Sequence, residues 1–203
     1  KSYSGQKMVP RTAAARAALL IVAAAACAAV AAGEDLAGTP PGGESAEAAG
    51  DKSRVGGRGF GENVDWFSFA AGIREAEATQ RPAMVVIHKS WCGACKSLGP
   101  KFAASEDIMA RASNFVMINV HDDEEPNDEG WRPDGGYIPR ILMYDGKHGE
   151  MMLDIQREGA NGKHAYYFST GGQIVSAMDA ALARLQRRAA GEQEAELRAS
   201  PDL

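Results

Sequence analysis

Cysteine is scarce in this sequence, and the scarcity limits what its thiols can do. The chain has three cysteines among 203 residues, and two of them, Cys92 and Cys95, stand three positions apart. A structural zinc site needs about four ligands. The other candidate ligands are the scattered histidines His88, His121, His148 and His164. We therefore predict no metal site, with zinc binding as the less favoured alternative.

Positive charge and long apolar runs are also in short supply. Of 22 basic residues, four precede residue 32, which leaves 18 against 27 acidic residues and a net charge of −9. Such a surface repels phosphate backbones and anionic lipid. After residue 30, no apolar run is long enough to cross a bilayer. We expect no nucleic-acid partner and no stable membrane insertion.

Residues 1–32 predict a leader and signal peptide. The chain is apolar from Ala17 to Val30, which is short for a bilayer span but suits a signal-peptide core. Cleavage after Ala31 or Ala32 would remove Cys27 and leave the close pair as the only thiols. An alanine-rich helix or a transit peptide is the alternative.

Composition divides the remaining chain into three parts. Residues 33–58 are rich in Gly, Ala, Glu and Pro, which predicts a flexible linker. Residues 59–188 carry the organised hydrophobic pattern and predict one folded domain. Residues 189–203 predict a polar C-terminal tail that frays.

The first half of that domain reads as a βαβ unit. Asp65 is expected to cap a helix that runs through Ala76. The apolar runs Met84–Ile87 and Phe115–Val120 predict buried strands. Leu98, Phe102 and Ile108 give a helical rhythm between them, which predicts one helix kinked at Pro100, so the two strands should be parallel with a right-handed crossover.

The second half predicts two more strands and a helix. Ile141–Tyr144 and Met151–Ile155 read as strands, the first ending at the turn Asp145-Gly146. Ser169 or Thr170 should cap a final helix whose sheet-facing side carries Ile174, Met178, Ala181, Leu182 and Leu185. The order of elements is that of a mixed α/β fold.

Between the two halves lies an acidic segment, Asp122 to Glu129, which we expect to be an exposed, solvated loop. Loose calcium binding is the alternative, but the spacing lacks the glycine and the twelve-residue pattern of an EF-hand.

The pair in Trp91-Cys92-Gly93-Ala94-Cys95-Lys96 follows a predicted strand and opens a predicted helix. The unpaired N–H groups and positive dipole end of a helix start favour thiolate over thiol. Cys92 is the expected nucleophile and Cys95 the resolving thiol, exchanging disulfides through a mixed intermediate. A purely structural disulfide is the alternative, although so small a ring constrains the unfolded chain little.

Several segments carry a more specific resemblance. The chain resembles thioredoxin-fold oxidoreductases of the endoplasmic reticulum that are related to the anterior gradient proteins, over roughly Gly59 to Leu185. The segments that carry it are Val86–Lys96, Asn114–Met117, Asp123–Pro126 and Pro133–Leu142. Anterior gradient relatives lack the second cysteine, so Cys95 argues against that branch.

The resemblance implies a thioredoxin fold, with a central mixed β-sheet flanked by helices and a redox-active Cys92–Cys95 disulfide. It implies that the Ile138–Pro139 bond is cis and faces that disulfide, whereas residue statistics alone favour trans. Trp91, Ile138 and Pro139 are then the expected substrate-binding residues. The implied partners are client proteins with thiols or disulfides, with no bound cofactor and with glutathione as redox co-substrate.

Two departures from such relatives concern the chemistry of the thiols. Many have a buried acid six positions before the first cysteine, where this chain has Val86, so proton transfer at Cys95 would need water or another carboxylate. His88 and Lys89 are expected to be solvent-facing residues at a strand end, with an influence on Cys92 as the alternative. Gly93-Ala94 lacks the histidine of strongly oxidising relatives, which predicts a potential of roughly −270 to −180 mV.

The expected location is the endoplasmic-reticulum lumen. The end of the chain, Ser200-Pro201-Asp202-Leu203, matches a lumenal retrieval signal only in its last two positions, so secretion is an alternative. The main functional prediction is an enzyme that reduces, forms or reshuffles client disulfides. The alternative is a chaperone-like module that holds clients beside Ile138 and Pro139 with little redox turnover.

Overall fold

A computed structural model of the chain describes residues 53–199. The predicted leader and signal peptide, most of the predicted linker and the Ser200–Leu203 tetrapeptide lie outside the described residues. Within 53–199, none of the helices has the length and apolarity needed to cross a membrane.

One mixed sheet organises the described residues. Its strands are β1 (Arg54–Val55), β2 (Trp66–Phe67), β3 (Pro82–His88), β4 (Val116–His121), β5 (Arg140–Asp145) and β6 (Glu150–Met151). The helices are α1 (Phe69–Thr79), α2 (Gly93–Ala103), α3 (Glu106–Ala112) and α4 (Gly171–Ala199). The spatial strand order is β1-β2-β4-β3-β5-β6.

The central pair β3 and β4 is parallel, as the sequence predicted, and β5 runs antiparallel to β3 on its other side. Alternation along β3 supplies two cores, one on each face of the sheet. Met84 and Val86 pack with residues of α2, α3 and α4, whereas Val85 and Ile87 pack on the face that α1 covers. Burial on both faces explains the unbroken apolar run.

Some predicted boundaries were wrong. Asp65 does not cap α1, because the chain first adds β2 to the sheet and the helix begins after Ser68. The helix with Pro100 does not run on to Ile108. It ends at Ala103, and Ser105 starts α3 by accepting a 3.3 Å hydrogen bond from the Ile108 N–H.

The edges of the domain also differ from expectation. Residues 54 and 55, placed in the linker by composition, form β1 and pair with β2. The strand predicted for Met151–Ile155 ends at Met151, because the chain turns away from the sheet there and the Ile155 N–H bonds to Met152. The final helix keeps its predicted buried side but continues to Ala199, through residues expected to fray.

Candidate active site

The thiol pair lies where β3 ends and α2 begins. Cys92 is the N-cap residue of α2, with extended backbone, and its Sγ accepts a 3.1 Å hydrogen bond from the Cys95 N–H. The two cysteines are disulfide-bonded, with their Cα atoms 5.3 Å apart. In the reduced state the same N–H would stabilise a thiolate on Cys92, as would the helix dipole.

The predicted proline lies beside the disulfide. The Ile138–Pro139 peptide bond is cis, as the resemblance implied, and immediately precedes β5. The Ile138 carbonyl oxygen is 3.9 Å from Cys92 Sγ. This oxygen and the thiol pair therefore border the same surface, where an extended chain can approach both.

Trp91 directly precedes Cys92 and is the most exposed of the large apolar residues around the thiols. Its side chain is 74% exposed, an unusual position for the largest apolar residue type. Cys92 is 7% exposed and Cys95 3% exposed in the oxidised state.

The expectation that His88 is solvent-facing was wrong. His88 is only 3% exposed, and its Nε2 lies 2.8 Å from Asn119 Oδ1 on the neighbouring strand. The Phe60 and His121 rings pack against it at centroid distances of 4.6 and 4.7 Å. One sequence pattern does favour burial of His88, because His88 continues the alternation of Met84 and Val86, which face α2.

Lys89 is not a free strand-end residue either. Its ammonium group lies 3.2 Å from Glu125 and donates a hydrogen bond to the Asp122 carbonyl oxygen. The Asp122 carboxylate accepts a 2.7 Å hydrogen bond from the Ser90 N–H, which lowers the pKa of Asp122. The strand end that leads into the thiols is thus fixed to the acidic segment.

The acidic segment itself was misjudged at one residue. The Glu125 side chain is 10% exposed and pairs with Arg132 at 2.9 Å as well as with the fully buried Arg140. Burial opposes ionisation of Glu125, but hydrogen bonds from Arg132 and Arg140 outweigh it and lower its pKa to about 2. The Glu125 side chain is therefore mostly buried and held by ion pairs, and the prediction of an exposed, solvated loop was wrong at this residue.

Val86, six positions before Cys92, is fully buried among apolar residues. Within residues 53–199, no three histidine, cysteine or carboxylate side chains are grouped so as to hold a metal ion.

The fold of the described residues is thioredoxin-like. Residues 65–146 match the Thioredoxin-like family model, and the mixed sheet of six strands between helices is the fold that the resemblance implied. A solved structure of the DsbH oxidoreductase aligns with 74% of this chain and 94% of its own, at 16% identity and a TM-score of 0.42.

Anterior gradient proteins are among the curated relatives that the chain matches. Mouse anterior gradient protein 3 is 36% identical over 90 residues, which cover 43% of this chain and 53% of the relative. The Xenopus laevis anterior gradient protein 2-B is 33% identical over 43% of this chain and 53% of its own length. The mouse anterior gradient protein 2 homolog is 29% identical over 64% of this chain and 73% of its own. The chain spans about half the length of the first of these relatives.

Proposed function

We propose that this protein is a thiol-disulfide oxidoreductase that acts on protein disulfides through Cys92 and Cys95. The observation that carries the proposal is the position of Cys92 Sγ. It lies 3.1 Å from the Cys95 N–H at the start of α2 and 3.9 Å from the Ile138 carbonyl oxygen. The Cys95 N–H can thus stabilise a thiolate on Cys92, and the Ile138 carbonyl oxygen beside it can accept a hydrogen bond from a bound chain.

The reaction follows from that position. In the reduced protein, the Cys92 thiolate attacks one sulfur of a client disulfide, and the other client sulfur leaves as a thiolate that takes up a proton. Cys95 then loses its proton and attacks Cys92 Sγ, which forms the Cys92–Cys95 disulfide and releases the second client thiolate. The protein is oxidised by two electrons and the client is reduced by two.

Client recognition uses the surface beside the thiols. A segment of client chain in extended form can place its disulfide on Cys92 while its backbone N–H bonds to the Ile138 carbonyl, as in β-strand addition. The exposed ring of Trp91, which directly precedes Cys92, offers apolar contact. Such backbone recognition tolerates many client sequences.

Glutathione is the redox co-substrate in this proposal, with no bound cofactor, so the protein is a glutathione-linked protein-disulfide reductase that can also run as an oxidase. The proposed location is the endoplasmic-reticulum lumen, with secretion as the alternative. Within the wider group, we place the chain beside thioredoxin domain-containing protein 12, because Cys95 supplies a resolving thiol.

The test is glutathione-coupled reduction of insulin by the intact protein and by Cys92→Ser and Cys95→Ser variants. The proposal expects turnover from the intact protein, none from Cys92→Ser, and a trapped mixed disulfide with Cys95→Ser. Full activity of Cys92→Ser would contradict it.

A second candidate function rests on Trp91, whose exposed ring suits a chaperone-like module that holds clients without redox turnover. Under that reading, client peptide binds equally to the intact protein and both serine variants, and none of the three reduces insulin. The two functions therefore separate in the same set of proteins.

A further inference from the structure

In the proposed reaction, Cys95 needs a group that accepts its proton. The Cys95 thiol must be deprotonated before it can attack Cys92 Sγ, yet it is only 3% exposed, and the side chain of Val86, six positions before Cys92, cannot accept a proton. A cleft of the described surface opens beside Cys95, and its lining includes no carboxylate. The ionisable side chains along it, besides the thiol, are Arg58, His88, Lys89, Lys96 and His121.

Of these, His88 is the one built into the core of the domain. It stands two positions after Val86 on β3, so its side chain leaves the sheet on the face that α2 covers. The rings of Phe60 and His121 both pack against the His88 ring. His88 therefore lies on the same side of the sheet as Val86, two residues further along β3 toward the thiols.

The hydrogen bonds around Asn119 determine which imidazole nitrogen is basic. The Asn119 Nδ2 group donates a 2.9 Å hydrogen bond to the Gly57 carbonyl oxygen, which leaves Oδ1 to face His88 Nε2 at 2.8 Å. An amide oxygen only accepts, so in neutral His88 the proton sits on Nε2. The lone pair is then on Nδ1, which makes no hydrogen bond within the described residues.

The surroundings keep His88 neutral near pH 7. Burial of the ring is the largest influence and lowers the pKa of His88, and the nearby His121 and Arg58 lower it further, against the opposite effects of Asn119 and Asp122. Three of the other ionisable side chains at this cleft have partners: Arg58 pairs with Glu124, Lys89 pairs with Glu125, and His121 Nδ1 lies 3.2 Å from Asp122. The fourth, Lys96, is exposed to solvent. A neutral imidazole on the same cleft as Cys95 can accept a proton.

We propose that Nδ1 of His88 accepts the proton of the Cys95 thiol, directly or through solvent in the cleft. The inference rests on the proposed dithiol chemistry. The Cys95 S–H bond breaks, the proton moves to His88, and the sulfur electron pair forms the bond to Cys92 Sγ while the Cys92–client bond breaks. The departing client thiolate recovers a proton from the imidazolium or from solvent.

The test uses the Ellman disulfide, 5,5′-dithiobis(2-nitrobenzoate), as the substrate of the reduced full chain carrying Cys27→Ser. Attack by Cys92 releases one coloured thiolate, and attack by Cys95 on the mixed disulfide releases the second, so absorbance separates the two steps. The leaving group needs no proton, which isolates deprotonation of Cys95. Because any reactive thiol attacks this reagent, the test does not depend on turnover with clients or glutathione.

His88→Gln keeps an N–H donor for Asn119 but removes the titratable base. We expect the second step to slow at least about tenfold at pH 7, within the usual range for general base catalysis, and to recover toward the unsubstituted rate near pH 10. The first step should be unchanged. The matched variant is His148→Gln, because His148 bonds to Asp145 and Glu192 and does not line the cleft; it should leave both steps unchanged. An unchanged second step in His88→Gln, or an equal loss in His148→Gln, overturns the proposal.

Asn119→Asp provides an independent check if His88→Gln fails to fold. A carboxylate facing Nε2 stabilises the imidazolium, so the pH below which the second step slows should move upward. A profile identical to that of the unsubstituted protein overturns the assignment of His88. Failure of the proposed function would appear elsewhere, as loss of insulin turnover with both thiolate releases intact.

Discussion

Glu125 and Arg140 form a buried ion pair that joins the segment after β4 to the residue that follows the cis proline. Arg140 also donates a hydrogen bond to the Tyr137 carbonyl oxygen, just before Ile138. Through Lys89, the same carboxylate reaches the end of β3. One anion thus ties together the two chain segments that border the thiols.

Replacing Glu125 with Gln should destabilise the protein strongly. Breaking a buried pair leaves the Arg140 guanidinium uncompensated, and such losses cost about 3 kcal/mol or more. The measurement is urea unfolding at pH 7. Glu129→Gln is the matched control, since Glu129 pairs with Arg132 from an exposed position and should show no measurable change. Equal stability of the two variants would contradict the anchoring role.

The same carboxylate predicts a pH dependence. The pKa of Glu125 is about 2 in the folded protein, against an ordinary value of 4.5. Its stabilisation is therefore complete above about pH 4.5 and is lost as pH falls toward 2, a change of about 3 kcal/mol. Unfolding free energies measured from pH 6 to 2.5 should fall more steeply for the unsubstituted protein than for Glu125→Gln. Parallel curves would exclude Glu125 as the source.

Gly99 on α2 should not tolerate a methyl group. A Cβ at this position would lie 2.5 Å from the Gly59 carbonyl oxygen, so Gly99→Ala must displace the backbone that passes over α2. Overpacking of this kind costs about 1–3 kcal/mol. Gly191→Ala on α4 meets nothing within 4 Å and should instead gain a few tenths of a kcal/mol or more from helix propensity, up to about 1. Thermal unfolding of both variants makes the comparison.

Trp91→Ala should separate client binding from stability. The ring is exposed, so its removal should leave the unfolding midpoint unchanged, while kcat/KM for insulin falls roughly fivefold, the loss of about 1 kcal/mol of contact. Leu197→Ala, another exposed apolar residue but far along α4, serves as the control and should change neither quantity. Unaltered kinetics in Trp91→Ala would remove the indole from the client surface.

The reduction potential of the Cys92–Cys95 pair should lie at roughly −270 to −180 mV, between the thioredoxin and disulfide-isomerase values. The reason is the Gly93-Ala94 dipeptide, which has no histidine to stabilise the Cys92 thiolate. Equilibration with glutathione buffers, followed by thiol trapping, measures it. A value above about −150 mV would contradict the prediction.

Much of the fold and part of the candidate site could be predicted from the sequence. The parts that could not be predicted were missed for physical reasons. Local patterns predicted the strands Met84–Ile87 and Ile141–Tyr144 and the buried side of α4, because burial and periodicity are encoded residue by residue. Resemblance to relatives, and not propensity, predicted the cis bond at Pro139.

What sequence missed depends on contacts between distant segments. Glu125 resembles its exposed acidic neighbours until Arg132 and Arg140 fold against it. His88 reads as a polar strand end because its partner Asn119 lies 31 positions later. Arg54 and Val55 sit in a glycine-rich stretch, and only pairing with Trp66 and Phe67 makes them a strand.

The contact between Asn119 and Gly57 shows that residues before the family match help to form the candidate site. The family match starts at residue 65, but the carbonyl that orients Asn119 and the Phe60 ring against His88 both precede it. A fragment that began at residue 65 would keep both thiols and the cis proline. It would lose Arg58, Gly59 and Phe60, which line the cleft beside Cys95. Its disulfide could form, but the surroundings of His88 and Asn119 would be changed.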